Sequence, residues 1–271
     1  EWAISGNEVI TPSKITPKRQ TDRSVSNCEP LDIGGRIIYV QARGNTVRDM
    51  GYSFESDSYT GDDLTLLAKH LVNNKKILAS AYIQEPDSAV FFVRNDGVML
   101  CLSYVREQKV FAWSHYVTKG EYESITNIAD DYYDELYTVV KRSINGQIKR
   151  YIEKFKPINN SDDANEYSML DCHITTDNTP SETIGGFTHL AGETVTALFD
   201  GFVADVLVAQ DGLITLPTAA KQVIVGIRYK AIIEVPDVEI KTKNGTIQGQ
   251  YKHLSKIGLR LQNSYGGKIG N

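Results

Sequence analysis

The sequence predicts an all-β chain with one short helix, and three observations carry that prediction. Short runs rich in Val, Ile, Tyr and Phe are separated by Asn-Gly or Asp-Gly pairs along the whole length. β-branched and aromatic side chains suit a pleated surface, and the pairs supply the positive φ that tight hairpins need. Only one stretch has helical spacing, and one polar segment divides the chain into two parts of different character. At 271 residues, 41% hydrophobic and 23% charged, the chain is long and apolar enough to bury a core.

The turn pairs are Asp96-Gly97, Asn145-Gly146, Asp200-Gly201, Asp211-Gly212 and Asn244-Gly245. The helix is expected near 62–72, where Asp62 or Asp63 can cap it and Leu64, Leu67 and Leu71 recur at i, i+3 and i+7. A repeat surrounds three glycines. Ile37-Ile38-Tyr39-Val40 leads to Gly44, then Val47 and Tyr52. Val90-Phe91-Phe92-Val93 leads to Gly97, then Met99, Leu100 and Tyr104. Leu136-Tyr137-Thr138-Val139-Val140 leads to Gly146, then Ile148 and Tyr151. Each unit reads strand, turn at Gly, strand ending on Tyr, with turns recurring roughly every fifty residues, as in propeller blades. Residues 109–115 and 121–128 can supply further strands between the second and third units. Three blades do not close a propeller, which needs at least about four. Either more blades lie outside this chain, or the units stack as an open array, or they are three hairpins of an ordinary sandwich.

Composition shifts at a polar linker, about 157–166, with Pro157, Asn159, Asn160, Ser161, Asp162 and Asp163. The expected organisation is a partial β-propeller-like repeat domain over 1–158 and a second antiparallel β module, sandwich- or barrel-like, over 167–271. Strands of the second module are expected at 194–199, 206–209, 213–216, 222–235 and 249–261. In the last, Ile257, Leu259 and Leu261 alternate with Lys256, Gly258 and Arg260, so one face reads as buried and the other as basic.

No apolar run is long enough to cross a bilayer, so no membrane insertion is expected. The first residues, Glu1-Trp2-Ala3-Ile4, lack an initiator Met and the layout of a signal peptide, which reads as a piece of a longer chain. Net charge is −5, against a protein whose whole surface grips nucleic acid. Beyond Glu239 there is no Asp or Glu, while Lys241, Lys243, Lys252, Lys256, Arg260 and Lys268 follow. Cys28, Cys101 and Cys172 are scattered and odd in number, which reads as free, buried thiols in a reducing compartment.

The search for chemistry returns little. His70, His115, His173, His189 and His253 have no metal-ligand spacing, and no GxSxG elbow or P-loop is present. Gly185-Gly186 lacks a surrounding βαβ unit and reads as a hairpin or bulge. Acidic groups occur at Asp62-Asp63, Asp130-Asp131 with Asp134-Glu135, and Asp162-Asp163. Paired carboxylates can hydrolyse glycosides, but these sit at apparent turns, where solvated charge is the plainer reading. Phe111 and Trp113 would share a strand face, either to stack on sugars or bases or to fill space between sheets. The expectation is no catalytic, cofactor-binding or metal-binding residue. Lys252, Lys256 and Arg260 are the candidate subunit or DNA contact.

A resemblance adds to this. Gln84-Glu85-Pro86-Asp87-Ser88, Val93-Arg94-Asn95-Asp96-Gly97, Leu102-Ser103-Tyr104, Arg106-Glu107-Gln108 and Ala112-Trp113-Ser114-His115 resemble the tail nozzle, or packaged-DNA-stabilisation, proteins of short-tailed bacteriophages. Leu170-Asp171-Cys172, Gly186-Phe187-Thr188-His189-Leu190, Gly192, Asp200-Gly201, Val225-Gly226-Ile227-Arg228-Tyr229 and Leu261-Gln262-Asn263-Ser264-Tyr265-Gly266-Gly267 look like that family's C-terminal half. The resemblance implies a structural virion protein without a cofactor, assembled in the bacterial host cytoplasm. It implies a homo-oligomeric ring of six copies below the portal and adaptor, docking tail fibre or needle proteins and touching double-stranded DNA transiently during ejection. The alternatives are a carbohydrate-binding module or adhesin built on Trp113, and a propeller glycoside hydrolase using paired acids.

Overall fold

A computed structural model describes residues 2–5, 11, 14–156, 168–235, 241–242, 245–247, 251, 253, 255–261 and 267–270. An antiparallel pair, β1 (Trp2–Ser5) and β2 (Thr16–Arg19), comes first. The first large sheet runs β3 (Leu31–Ile33), β4 (Arg36–Val40), β5 (Val47–Ser53) and β6 (Ser58–Thr60). After α1 (Lys69–Val72), the second sheet runs β7 (Ile77–Ile83), β8 (Ala89–Arg94), β9 (Met99–Val105) and β10 (Val110–Tyr116). The third has β11 (Glu121–Ala129), β12 (Asp134–Ile144) and β13 (Gln147–Lys154). All three are antiparallel meanders of sequence-adjacent strands. The fourth holds β14 (Asp171–Ile184), β15 (Thr194–Phe199), β16 (Phe202–Leu207) and β17 (Ile214–Ile227) in the order β14-β17-β15-β16. β18 (Lys241–Thr242) and β19 (Gly245–Thr246) form a small pair. The chain is all-β with one short helix, as expected, and no closed barrel occurs among the described residues.

The repeat is a physical one. Gly44, Gly97 and Gly146 have φ of +81°, +79° and +75°, and each turns the chain from the second to the third strand of its sheet. At these angles an L side chain is strained and glycine is not. The turns also join sheets. The Ile77 amide, opening β7, donates to the Gly44 carbonyl at 2.8 Å, and the Tyr122 amide, early in β11, donates to the Gly97 carbonyl at 3.0 Å. The turns of the first two sheets thus each receive the entering strand of the next.

The continuous apolar run of β8 is explained by burial on both faces. Val90 and Phe92, with Leu100 and Leu102 of β9, pack on Ile38, Val40 and Val47 of the first sheet. Ala89, Phe91, Val93, Met99 and Cys101 face the other way, onto Tyr122, Ile125, Leu136 and Val140 of the third. The second sheet is the filling between its neighbours. The fourth sheet keeps its own core, with Phe187, Leu190, Val195, Phe199, Ile214 and Val223.

Three expectations are corrected. The helix covers only Lys69–Val72. Upstream, the Asp63 carboxylate accepts from the Thr65 amide (2.9 Å) and hydroxyl (2.6 Å), closing a turn. The Leu64 amide bonds the Val47 carbonyl instead of a helical partner, and Leu67 is 95% exposed. The strand expected at 222–235 ends at Ile227 and begins as far back as Ile214. No strand includes the described residues between 251 and 261, because alternation alone gives a strand no partner for its amides. β14 was not anticipated. The linker expected at 157–166 lies outside the described residues.

Candidate functional site

The expected basic face does not form as drawn. Lys256 and Arg260 are exposed, outside any strand, and Lys252 lies outside the described residues. The fold gathers charge at two places that the sequence reading passed over.

The first is Asp49, on β5, 1% exposed. Its parity with Val47 turns it toward the second sheet, so a carboxylate enters an apolar seam and must be paired. Arg36 Nη2 lies 3.0 Å from Asp49 Oδ2, Arg106 Nη1 2.8 Å and the Tyr104 hydroxyl 3.1 Å, while the Asp62 amide donates to Oδ1 at 2.8 Å. Gly51, two residues on and facing the same way, clears the path: a Cβ there would meet Arg36 Cδ at 2.3 Å. Two partners come from the first sheet's side of the seam and two from the second sheet's chain, so the cluster clamps one sheet to the next.

The second is Arg142, on β12, 2% exposed at the side chain. It shares its face with Leu136 and Val140. Its Nε and Nη2 donate to the two Glu153 oxygens at 2.7 Å each, and Nη1 donates to the Lys119 carbonyl at 2.9 Å. Asp171, at the start of the fourth sheet, stands 3.8 Å away and accepts from the Thr118 hydroxyl at 2.6 Å. Tyr151 meets the His189 ring edge-on, and Lys119 pairs with Glu193. Burial pushes the Cys172 thiol up to about 12 and lowers the His173 and His189 pKa values. This seam between third and fourth sheets is mostly polar.

The residues considered for chemistry are placed as follows. Asp134 accepts from the Gln84 amide at 2.6 Å, and Glu135 binds the Tyr137 hydroxyl at 2.6 Å and pairs with Lys154. Asp62 and Asp63 hold the segment beside β5 by the contacts above, Asp130 and Asp131 are exposed, and Asp162-Asp163 lies outside the described residues. Trp113 stacks on Phe92 at 5.7 Å and donates its indole N–H to the Leu64 carbonyl at 2.8 Å, so it fills the seam between sheets. Phe111 sits 5.4 Å from Tyr104, half-exposed. His173 Nδ1 and His189 Nε2 bond the carbonyls of Leu170 and Cys172. Cys28 and Cys101 are buried free thiols, the latter pushed up to about 11 by burial. No group of three metal-ligating side chains occurs among the described residues, and no helix there is long and apolar enough to cross a membrane.

These contacts lock sheets together. Asp49 and Arg142 were legible in principle as charged residues at inward parity within alternating strands. Comparison with protein-family models and with curated proteins finds no match.

Proposed function

We propose that this chain is a structural subunit of a bacteriophage tail, a ring-forming nozzle or hub that lines or closes the DNA exit channel and docks other tail proteins. The resemblance described above names the family. What supports a structural role is the serial docking of the meander sheets, in which the Gly44 and Gly97 turns each receive the next entering strand and the buried Asp49 cross-links the first seam. Such an arrangement extends by adding units and gives stiffness. Among the residues an enzyme or lectin could use, Asp49, Asp134, Glu135 and Trp113 are engaged in that framework. A net charge of −5 suits a channel that conducts DNA without holding it, since every neutralised phosphate adds affinity.

Electron microscopy of the protein tests this directly. The expected result is a closed ring with a central pore; a monomer at every concentration overturns it. Lys252, Lys256 and Arg260 remain the proposed subunit or DNA contact. Reversing all three charges should weaken ring formation or DNA retention, and a variant unchanged in both removes them from the reading. Specific binding on a glycan array would favour the carbohydrate-binding alternative.

A further inference from the structure

Among the described residues, the fourth sheet ends on an uncovered edge, where β16 pairs with β15 alone. Its sequence, Phe202-Val203-Ala204-Asp205-Val206-Leu207, has no Lys and no Pro, the usual guards of an open edge. Phe202, Val203 and Leu207 are all exposed. Its one charge, Asp205, is engaged by the Thr196 hydroxyl at 2.7 Å and by Arg228 at 3.1 Å. Beside it runs an open groove of about 640 Å³, lined by Asp205, Leu207, Leu213, Thr215 and Pro217 among others.

The same chain carries a segment suited to that edge. After β17 ends at Ile227, residues 231–235 read Ala-Ile-Ile-Glu-Val and form no strand. Ile232, Ile233 and Val235 are exposed, Ile233 to 92%. β-branched residues prefer a pleated surface, and an exposed apolar segment of this kind marks an interaction site. The Arg228–Asp205 ion pair puts the root of the arm beside its own β16, yet residues 231–235 leave that edge bare.

We infer that the arm 231–235 of one copy adds as a fifth strand to the β16 edge of a second copy, each copy giving one arm and receiving one. Main-chain N–H and C=O groups supply the pairing, and alternate side chains supply the fit. By the period of two, Ala231, Ile233 and Val235 share one face of the added strand and Ile232 and Glu234 the other. A second copy is the occupant because the chain carries both halves of the contact and, among the described residues, leaves both open. Exchange of one element between copies closes a ring when the rotation closes. This deepens the preceding reading, on which it rests for there being an assembly, but it depends on neither DNA nor a phage role.

The test joins the two halves covalently. One preparation carries Leu207→Cys and another Ile233→Cys, and the two are mixed and oxidised. The unmodified protein, oxidised in parallel, controls for the native thiols, of which Cys28 and Cys101 are buried and Cys172 is half-buried. A disulfide-linked species of twice the 30.2 kDa chain mass, formed in the mixture and not by either variant alone, is the expected result. No cross-link overturns the exchange. So does a double variant on one chain that closes within itself and forms no dimer, since the arm would then cover its own edge. Hydrogen exchange on the unmodified protein gives an independent reading. Amides of 202–207 and 231–235 should gain protection together as concentration rises, and concentration-independent protection overturns the proposal. Ile233→Asp should weaken self-association at least tenfold, and unchanged association counts against it. Rings with a pore but no cross-link would sink the exchange and leave the nozzle reading standing; cross-linked copies without rings would do the reverse.

Discussion

The seam between the first and second sheets and the seam between the third and fourth each hold one buried charge, but in different settings. Asp49 lies beside the packed side chains of Ile38, Val47, Phe92, Leu100 and Leu102. Apolar burial holds that seam, and the carboxylate fixes its register through Arg36, Arg106 and Tyr104. Arg142 has Glu153 on its own sheet as its main partner and reaches the fourth sheet through Asp171 at 3.8 Å, with Thr118, Lys119 and Tyr151 making the remaining contacts. Contacts of that kind orient two bodies more than they fuse them. The comparison teaches that the meander sheets form one unit, to which the fourth sheet is attached more softly.

The sharpest way to break the comparison is Asp49→Ala. It strands the Arg36 guanidinium, 12% exposed, while Arg106, 45% exposed, can turn to water, and should cost about 3 kcal/mol, read as a lower denaturation midpoint for the meander sheets. A midpoint within error of the parent would show that apolar packing alone sets the register. Arg142→Met should cost less, about 2 kcal/mol, as lost charge-assisted hydrogen bonds, because Glu153 is partly exposed and can turn to water. Hydrogen exchange should then rise over 171–227 while 77–116 stays protected; equal loosening of both would refute the soft attachment.

Two glycines sharpen the account further. A Cβ on Gly97 would lie 2.5 Å from Glu121 Cβ, whereas one on Gly146 meets nothing within 4 Å. Gly146→Ala should therefore cost only the left-handed backbone, about 1–2 kcal/mol. Gly97→Ala should cost a further 1–3 kcal/mol, roughly, from overpacking. Equal losses would mean that the Gly97 turn is not what locks the third sheet on. The smallest effect is that of pH. His173 and His189 are held neutral by burial, their pKa lowered from 6.5. The unfolded chain therefore binds protons first as pH falls, and the stability they contribute is present above about 6.5 and lost below it. Melting at pH 7.5 and pH 5 should show the fourth sheet loosening first, and His173→Gln with His189→Gln should flatten that dependence.

Much of the fold was legible because hairpin glycines announce themselves. Asn145 and Gly146, like Asp200 and Gly201, both take positive φ, a demand that few residue pairs meet. The two-sided burial of β8 was equally visible as an unbroken apolar run. Illegible parts are those where local pattern and tertiary partner disagree. Leu64, Leu67 and Leu71 have helical spacing, but Leu64 is held to β5 and Asp63 closes a turn. Residues 256–261 alternate well and pair with no strand among the described residues. Arg142 reads as surface charge until its parity with Leu136 and Val140 is noticed. Trp113 reads as a possible platform, and only its tertiary contacts with Phe92 and the Leu64 carbonyl show it seated between sheets.

The sheet that is apolar on both faces has a consequence for synthesis. As the chain emerges from a ribosome, β7 to β10 are complete by Tyr116, before any of the third sheet exists. Ala89, Phe91, Val93, Met99 and Cys101 then stand in water on one side of a finished meander. The nascent protein passes through a sticky interval that ends only when Tyr122, Ile125, Leu136 and Val140 arrive. A chaperone bound over that interval would set how much of the protein escapes aggregation, whatever the stability of the finished molecule.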